Sequence, residues 1–345
     1  MSANLLPRCL LPALLLIVAA CRPLTPLPGP APAAEQIEQG TSEPSPSPAL
    51  LSPGAHTATA APDLSAPITP ATNTPTSPAT EPPPTETVTT APSPTPCATP
   101  GRVEQSQLES PISGSPVSYR IYLPPCYGMD GRVYPALYLF SGNVHNEGFW
   151  DSLGLDEAAE AMIIDDSIPP FLVVFPDNGW LAQNTTSGPR SFEGFVLSEL
   201  IPHIEANYCA WAARQGRAVG GVSRGGYWSL MMAFRRPDLF RSVAGHSPAL
   251  IDSHAGPAED PVVTGAVNEL GDLRIYADIG ENDPYLRAAM PLHDALSAAG
   301  VAHEWHLNPG NHDEAYWTAN LNAYLQWYGD GWTADRSAMP DCSLN

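Results

Sequence analysis

The fold class this sequence predicts is α/β, with a mostly parallel central sheet covered by helices on both faces. Three observations carry that expectation. From residue 101 onward, apolar runs of strand length alternate with longer stretches whose apolar residues recur at helical spacing. YPALYLFSG, FLVVFP and RAVGGV are continuous apolar runs rather than alternating ones, the pattern of strands buried on both sides. Several of these runs end in glycine or turn-forming residues and pass directly into a helical pattern, as βα units do.

Taken in order, VEQSQLES (103–110) and VSYRIYLP (117–124) read as an antiparallel opening pair, joined by a turn around Ser113-Gly114-Ser115-Pro116. YPALYLFSG (134–142) is the first buried strand. A helix follows over LDEAAEAMI (155–163), then the strand FLVVFP (171–176), then a helix over 192–208. RAVGGV (217–222) is a strand, GGYWSLMMAFRRP (225–237) a helix, RSVAGHSP (241–248) a strand and LRIYADIG (273–280) another. A helix over 285–300 closes at Gly300, VAHEWHLN (301–308) is the last strand, and residues 313–329 form the last helix. No internal repeat interrupts this order.

The first hundred residues are of another kind. They hold 23 of the 41 prolines. Residues 1–21 read as an export signal, with Arg8 ahead of an apolar stretch from Leu10 to Ala20 that is too short to span a bilayer. The stretch ends in Val18-Ala19-Ala20-Cys21, which resembles the bacterial lipobox. That resemblance implies lipidation at Cys21, a membrane anchor through acyl chains, and an extracytoplasmic cell-envelope location. The competing reading is an ordinary secretory signal cleaved near Ala31-Pro32-Ala33-Ala34. Residues 22–100, rich in Pro, Thr, Ser and Ala, have too few large apolar groups to offset ordering entropy and read as a disordered tether. Residues 101–345 are then the folded domain, a normal size for one core.

Charge and cysteines narrow the setting. The net charge is −21, and residues 101–345 hold 30 acidic residues against 13 arginines, so the acidity belongs to the folded part. A field of that sign opposes nucleic acid as a partner. Six cysteines are present; with Cys9 and Cys21 assigned to the targeting region, Cys97, Cys126, Cys209 and Cys342 remain. An even count in an exported domain predicts two disulfides, and the pairing favoured here is Cys97–Cys126 with Cys209–Cys342. Their spacing offers no zinc site, and neither metal nor cofactor is expected.

The sharpest motif is Gly221-Val222-Ser223-Arg224-Gly225, a G-x-S-x-G pattern between an apolar strand and a helix. There a serine sits on a sharp strand-to-helix turn, small neighbours let strand and helix approach, and the helix N-terminus presents N–H groups to a developing oxyanion. Serine needs a base. Of the six histidines after Ser223, His312 lies in the turn-rich loop Asn308-Pro309-Gly310-Asn311-His312-Asp313 and is the expected base. His246 is the runner-up, a residue that could line the pocket. His303 and His306 are expected to pack, and His293 to be solvated. The acid is expected after LRIYADIG, where Asp278, Glu281 and Asp283 stand. Asp283, in the loop before a helix, is preferred; a helix N-cap explains it nearly as well, and Glu281 is the main rival.

At this point the chain resembles the esterase family that includes esterase D (S-formylglutathione hydrolase), feruloyl esterases, enterobactin esterase-like proteins and the mycolyltransferase antigens. The resemblance rests on YRIYLPPCYGMDGRVYPALYLFSGNVHNEGFW, FLVVFPDNGW, ELIPHIEANY, the elbow, IGENDPYL and GNHDEAYW, in order over most of residues 105–328. It implies an α/β-hydrolase fold, Ser223, Asp283 and His312 as a triad, and an oxyanion hole from the backbone N–H groups of Asn143 and Arg224. Two positions depart from the family. Ser141 stands where histidine is usual, and Arg224 where methionine is frequent; pairing with an acid is the favoured expectation for Arg224. The implied activity is hydrolysis of a carboxylic ester, small or polysaccharide-linked, through an acyl-enzyme. The rivals are an acyltransferase on the same triad, a binding module of the same fold without activity, and a peptidase. Trp180 and Phe192, in the segment after Asp177, could stack on a sugar or aromatic acid.

Overall fold

The computed structural model describes residues 98–184, 186–251 and 256–344. The export signal, Cys21, Cys97 and nearly all of the tether lie outside the described residues. Eight strands, β1 (Arg102–Leu108), β2 (Val117–Leu123), β3 (Ala136–Phe140), β4 (Leu172–Pro176), β5 (Arg217–Val222), β6 (Ser242–His246), β7 (Arg274–Gly280) and β8 (Glu304–Asn308), form one sheet in the order β1-β2-β4-β3-β5-β6-β7-β8. β1 and β4 pair with β2 antiparallel, and every other neighbour pair is parallel. The expected α/β-hydrolase class and its antiparallel opening are what the sheet displays.

The continuous apolar runs are explained by two cores, one on each face. Along β3, Ala136, Tyr138 and Phe140 enter one core while Leu137 and Leu139 enter the other. The first core is covered by α3 (Phe192–Phe195) and α4 (Ile201–Asn207), by α5 (Arg224–Arg235), α6 (Pro261–Val267) and α7 (Leu286–Ala298). The second is covered by α1 (Phe149–Ser152), α2 (Leu155–Ile164) and α8 (Glu314–Gly329). Helix α5 is buried at every position from Arg224 to Phe234, so it is enclosed on all sides even where it carries Arg224 and Ser229.

Three local features differ from the sequence reading. Residues 192–207 form one helical stretch only by way of a π-turn over Val196–Leu200, two residues ahead of Pro202. Proline supplies no N–H, and the wide turn accommodates the missing bond. α6 was not expected, because its seven residues are β-branched and glycine-containing; its start is nevertheless marked, since Asp260 accepts the Val262 N–H at 2.9 Å and Pro261 opens the helix. α1 is a single turn, too short for periodicity to register.

Cys209 is bonded to Cys342, as expected. Backbone bonds from Val133 N–H to Pro340 C=O (3.0 Å) and from Cys342 N–H to Gly131 C=O (2.7 Å) lay the C-terminal tail along the chain ahead of β3. Cys126 is disulfide-bonded as well; Cys97, the partner expected for it, lies outside the described residues.

Candidate active site

The site is assembled at the C-terminal ends of β3, β5, β7 and β8, where an open parallel sheet exposes its loops. β5 ends at Val222, and Ser223 turns the chain with φ 54° and ψ −117° before α5 begins. A non-glycine residue in this region is strained and must be held there. The Ser223 N–H donates to the His246 C=O at 2.9 Å, and its own C=O accepts from Ala249 at 3.0 Å and Tyr227 at 3.1 Å. Gly221 and Gly225 are required by close approach. A Cβ on Gly221 would lie 2.6 Å from the Phe140 carbonyl oxygen, and one on Gly225 2.5 Å from the same atom.

Ser223 Oγ lies 2.9 Å from His312 Nε2, and His312 Nδ1 lies 2.8 Å from Asp283 Oδ2. A carboxylate only accepts, so Nδ1 carries the proton and Nε2 is left free to accept the Ser223 hydroxyl. Asp283 is 5% exposed, and its other oxygen accepts the Tyr285 N–H at 2.8 Å. Asp283 is thus not the N-cap of α7, a position held by Tyr285; its second oxygen instead closes a turn on the Tyr285 N–H just ahead of the helix. Glu281 is exposed and has only its backbone in the assembly, where Glu281 N–H donates to Asn308 C=O (2.8 Å) and Asn282 N–H to Gly310 C=O (2.9 Å). These two bonds fasten the acid loop to the histidine loop. Gly310 makes the turn possible at φ 145°, with a Cβ there only 2.5 Å from the Tyr316 ring.

The two residues expected to supply oxyanion donors, Asn143 and Arg224, stand beside the serine, one across the cavity and one next in the chain. Arg224 opens α5, so its N–H is one of the first-turn donors without an intrahelical partner. Asn143 lies in the turn after β3, which is fixed by Asn178 Nδ2 donating to Ser141 C=O (2.6 Å) and by Gln183 Nε2 donating to Asn143 C=O (3.3 Å). A cavity of about 640 Å³ opens here, lined among others by Asn143, His145, Ser223, Tyr285, His312 and Trp317. His145 was not singled out from the sequence. It stacks on Phe149 with ring centres 4.1 Å apart, lies 3.8 Å from Glu314, and burial pulls its pKa below the usual value. The available signal was its place in the loop directly after the Ser141-Gly142 turn.

Several expectations are corrected. His246 does not line the pocket: it is 1% exposed, and its Nδ1 bonds Asp278 Oδ1 at 2.7 Å. Asp278, the candidate inside the strand, is the partner of that histidine and not of His312. Arg224 pairs with no acid among the described residues; its Nε donates to Asn143 Oδ1 at 3.4 Å instead. Phe192 is fully buried against Phe140 and Trp228 and cannot meet a ligand, while the exposed Trp180 lines a separate, smaller cavity with Asp177 and Ser113. His293 is not solvated but bonds His303 at 2.8 Å and stacks on Trp305. His306 stacks on Tyr276 but stays exposed on its strand, so it is not packed away as expected. Among the described residues no cluster of His, Cys, Asp and Glu could hold a metal ion, and no helix is long and apolar enough to cross a membrane.

A family model described as "Putative esterase" matches residues 110–328. The chain belongs to this esterase family. The esterase domain is 30% identical over 241 residues to an esterase of Mycobacterium tuberculosis strain H37Rv, a match covering 56% of this chain and 51% of that protein. It is also 30% identical over 220 residues to an endo-1,4-beta-xylanase/feruloyl esterase of Xylanibacter ruminicola, covering 59% of this chain and 29% of that one. The chain thus spans about half the length, or less, of these curated relatives. Among solved structures, a ferulic acid esterase superposes with a TM-score of 0.62 at 22% identity, covering 68% of this chain and 98% of that chain. An S-formylglutathione hydrolase of Staphylococcus aureus gives 0.57 at 17% identity, covering 66% and 98%. These likenesses establish the α/β-hydrolase fold of the esterase domain.

Proposed function

We propose that the protein is a serine-dependent carboxylic ester hydrolase that works through an acyl-enzyme, with Ser223 as nucleophile, His312 as general base and acid, and Asp283 as the group that orients His312. The observation that carries this reading is the unbroken line of hydrogen bonds from Ser223 Oγ through His312 to Asp283, set on a strained turn at the edge of an open cavity. As the Ser223 oxygen bonds the ester carbonyl carbon, its proton passes to His312 Nε2 and the carbonyl π pair moves onto oxygen. The N–H groups of Arg224 and Asn143 hold that oxyanion. When the pair returns, the bond to the leaving alkoxide breaks and His312 gives it the proton. Water then repeats the cycle against the acyl-enzyme.

The substrate class is a carboxylic ester, free or linked to a polysaccharide, a reading supported by the likeness to feruloyl esterases. The site of action is outside the cytoplasm, on a tether from a lipidated Cys21. The lipobox-like sequence and the proline-rich stretch support this, and the Cys209–Cys342 disulfide fits an oxidising compartment. The test of the reaction is turnover of p-nitrophenyl acetate and butyrate by the parent and by Ser223→Ala. Equal rates would sink the hydrolase reading, and a mass increment of one acyl group on the parent, absent from the variant, is the expected trace of the intermediate.

A further inference from the structure

Arg224 is 7% exposed, and its Nη1 is buried without a hydrogen-bond partner among the described residues. Its Nε reaches Asn143 Oδ1, and its guanidinium carbon lies 5.8 Å from the centre of the Tyr227 ring. Neighbouring arginines are treated differently. Arg217 at the start of β5 grips Glu205 at 2.6 Å, and Arg235 at the end of α5 grips Glu193 at 3.0 Å. Around Arg224 the ionisable groups that act on the guanidinium are Tyr227 and Tyr285, and burial lowers its pKa from the ordinary value. Arginine stays protonated even so. The result, among the described residues, is a buried cation without a counter-charge, an arrangement that costs folding free energy until an anion arrives.

The place where an anion forms is adjacent. The main chain of Arg224 supplies one of the two oxyanion donors, and its side chain is bonded to the residue that supplies the other. The surroundings otherwise oppose negative charge. The folded part is strongly acidic, Asp313 and Glu314 line the same cavity, and Asp283 stands behind His312. A fixed cation in a water-excluded position acts on charge that develops in the transition state and not on the neutral ester.

We propose that the Arg224 side chain is a positioning and electrostatic residue of the oxyanion hole: it holds Asn143 through Oδ1 and offsets the acidic field where the tetrahedral oxyanion forms. This rests on the assignment of Ser223 as nucleophile. The side chain takes no part in proton transfer, so the balance of the acyl-transfer steps is unchanged. It follows that Arg224 governs kcat and the affinity for tetrahedral adducts, and leaves ground-state binding of a neutral ester nearly untouched.

The experiment uses the full chain with p-nitrophenyl butyrate and compares the parent, Ser223→Ala, Arg224→Met, Arg224→Gln and Arg224→Lys. Arg224→Met is expected to lose on the order of 10²-fold in kcat with KM close to that of the parent. Arg224→Lys is expected to recover part of the loss and Arg224→Gln less. The affinity of an alkyl boronic acid, which forms a tetrahedral adduct on the serine, is expected to fall in step with kcat, while that of a neutral amide analogue holds. A merely structural role would not separate these two ligands. Should Arg224→Met fail to fold, the Lys and Gln variants decide, since equal kcat in the two overturns the inference. A parent-like kcat in Arg224→Met, with Ser223→Ala inactive, overturns it too while leaving the serine reading intact. Full activity in Ser223→Ala overturns the serine reading itself and this inference with it.

Discussion

The esterase domain contains two histidine–aspartate pairs with almost the same bond. His312 Nδ1 lies 2.8 Å from Asp283, and His246 Nδ1 lies 2.7 Å from Asp278. What differs is the far side of each group. The second nitrogen of His312 faces the Ser223 hydroxyl in an open cavity, whereas that of His246 meets the Tyr328 hydroxyl at 3.2 Å. The second oxygen of Asp283 takes one backbone N–H, whereas that of Asp278 takes the hydroxyls of Tyr316 at 2.6 Å and Tyr324 at 2.7 Å. Burial first, and the charge of Asp278 second, push the pKa of Tyr316 and Tyr324 far up, so both remain donors. A bonded imidazole and carboxylate are therefore not a catalytic signature in themselves. What distinguishes the working pair is that its second nitrogen bonds a nucleophile at an open cavity, whereas that of the buried pair bonds an enclosed tyrosine.

That contrast is breakable by experiment. The largest expected effect is on His312→Ala or Ser223→Ala, each lowering kcat by about 10⁶-fold in an ester assay while the unfolding midpoint stays near the parent's. Next, Asp283→Asn is expected to lower kcat by about 10⁴-fold, because an amide favours the wrong tautomer of His312. Asp278→Ala should act on the other quantity. Removing one member of a buried pair is expected to cost roughly 3–5 kcal/mol of stability in a urea titration. If this variant unfolds like the parent and loses only kcat, the division between a working and a holding pair is wrong. The smallest effect is expected at His145. Burial depresses its pKa below 6.5, so the unfolded chain binds more protons in that range and stability falls as pH drops through the unfolded value. His145→Gln should remove that part of the acid slope in thermal melts.

The same two pairs show what was legible in the sequence. The strand and helix order was, because period and run length report burial on one face or two. Ser223 and His312 were, because a motif and a turn-rich loop set them apart. His246 and Asp278 were both noticed as candidates for the site, but their mutual partnership was hidden. It depends on the β6–β7 register that puts them side by side and on three tyrosines from a helix some forty to eighty residues further on. Burial of a single side chain is a tertiary property, and neither Arg224 nor Phe192 carried a local sign of it. Asp283 was the preferred acid, but its place just ahead of a helix fitted an N-cap nearly as well, and only the fold shows that Tyr285 holds that position while Asp283 meets His312.

The Cys209–Cys342 bond has a consequence for damage. It closes the chain between those residues into a covalent ring, and Ser223, Asp283 and His312 all lie inside it. A single backbone cut anywhere within the ring cannot release a fragment carrying one member of the site without the others. In a protease-rich environment the oxidised protein can thus be nicked and still keep its parts covalently together, whereas the reduced protein would be divided by the same cut.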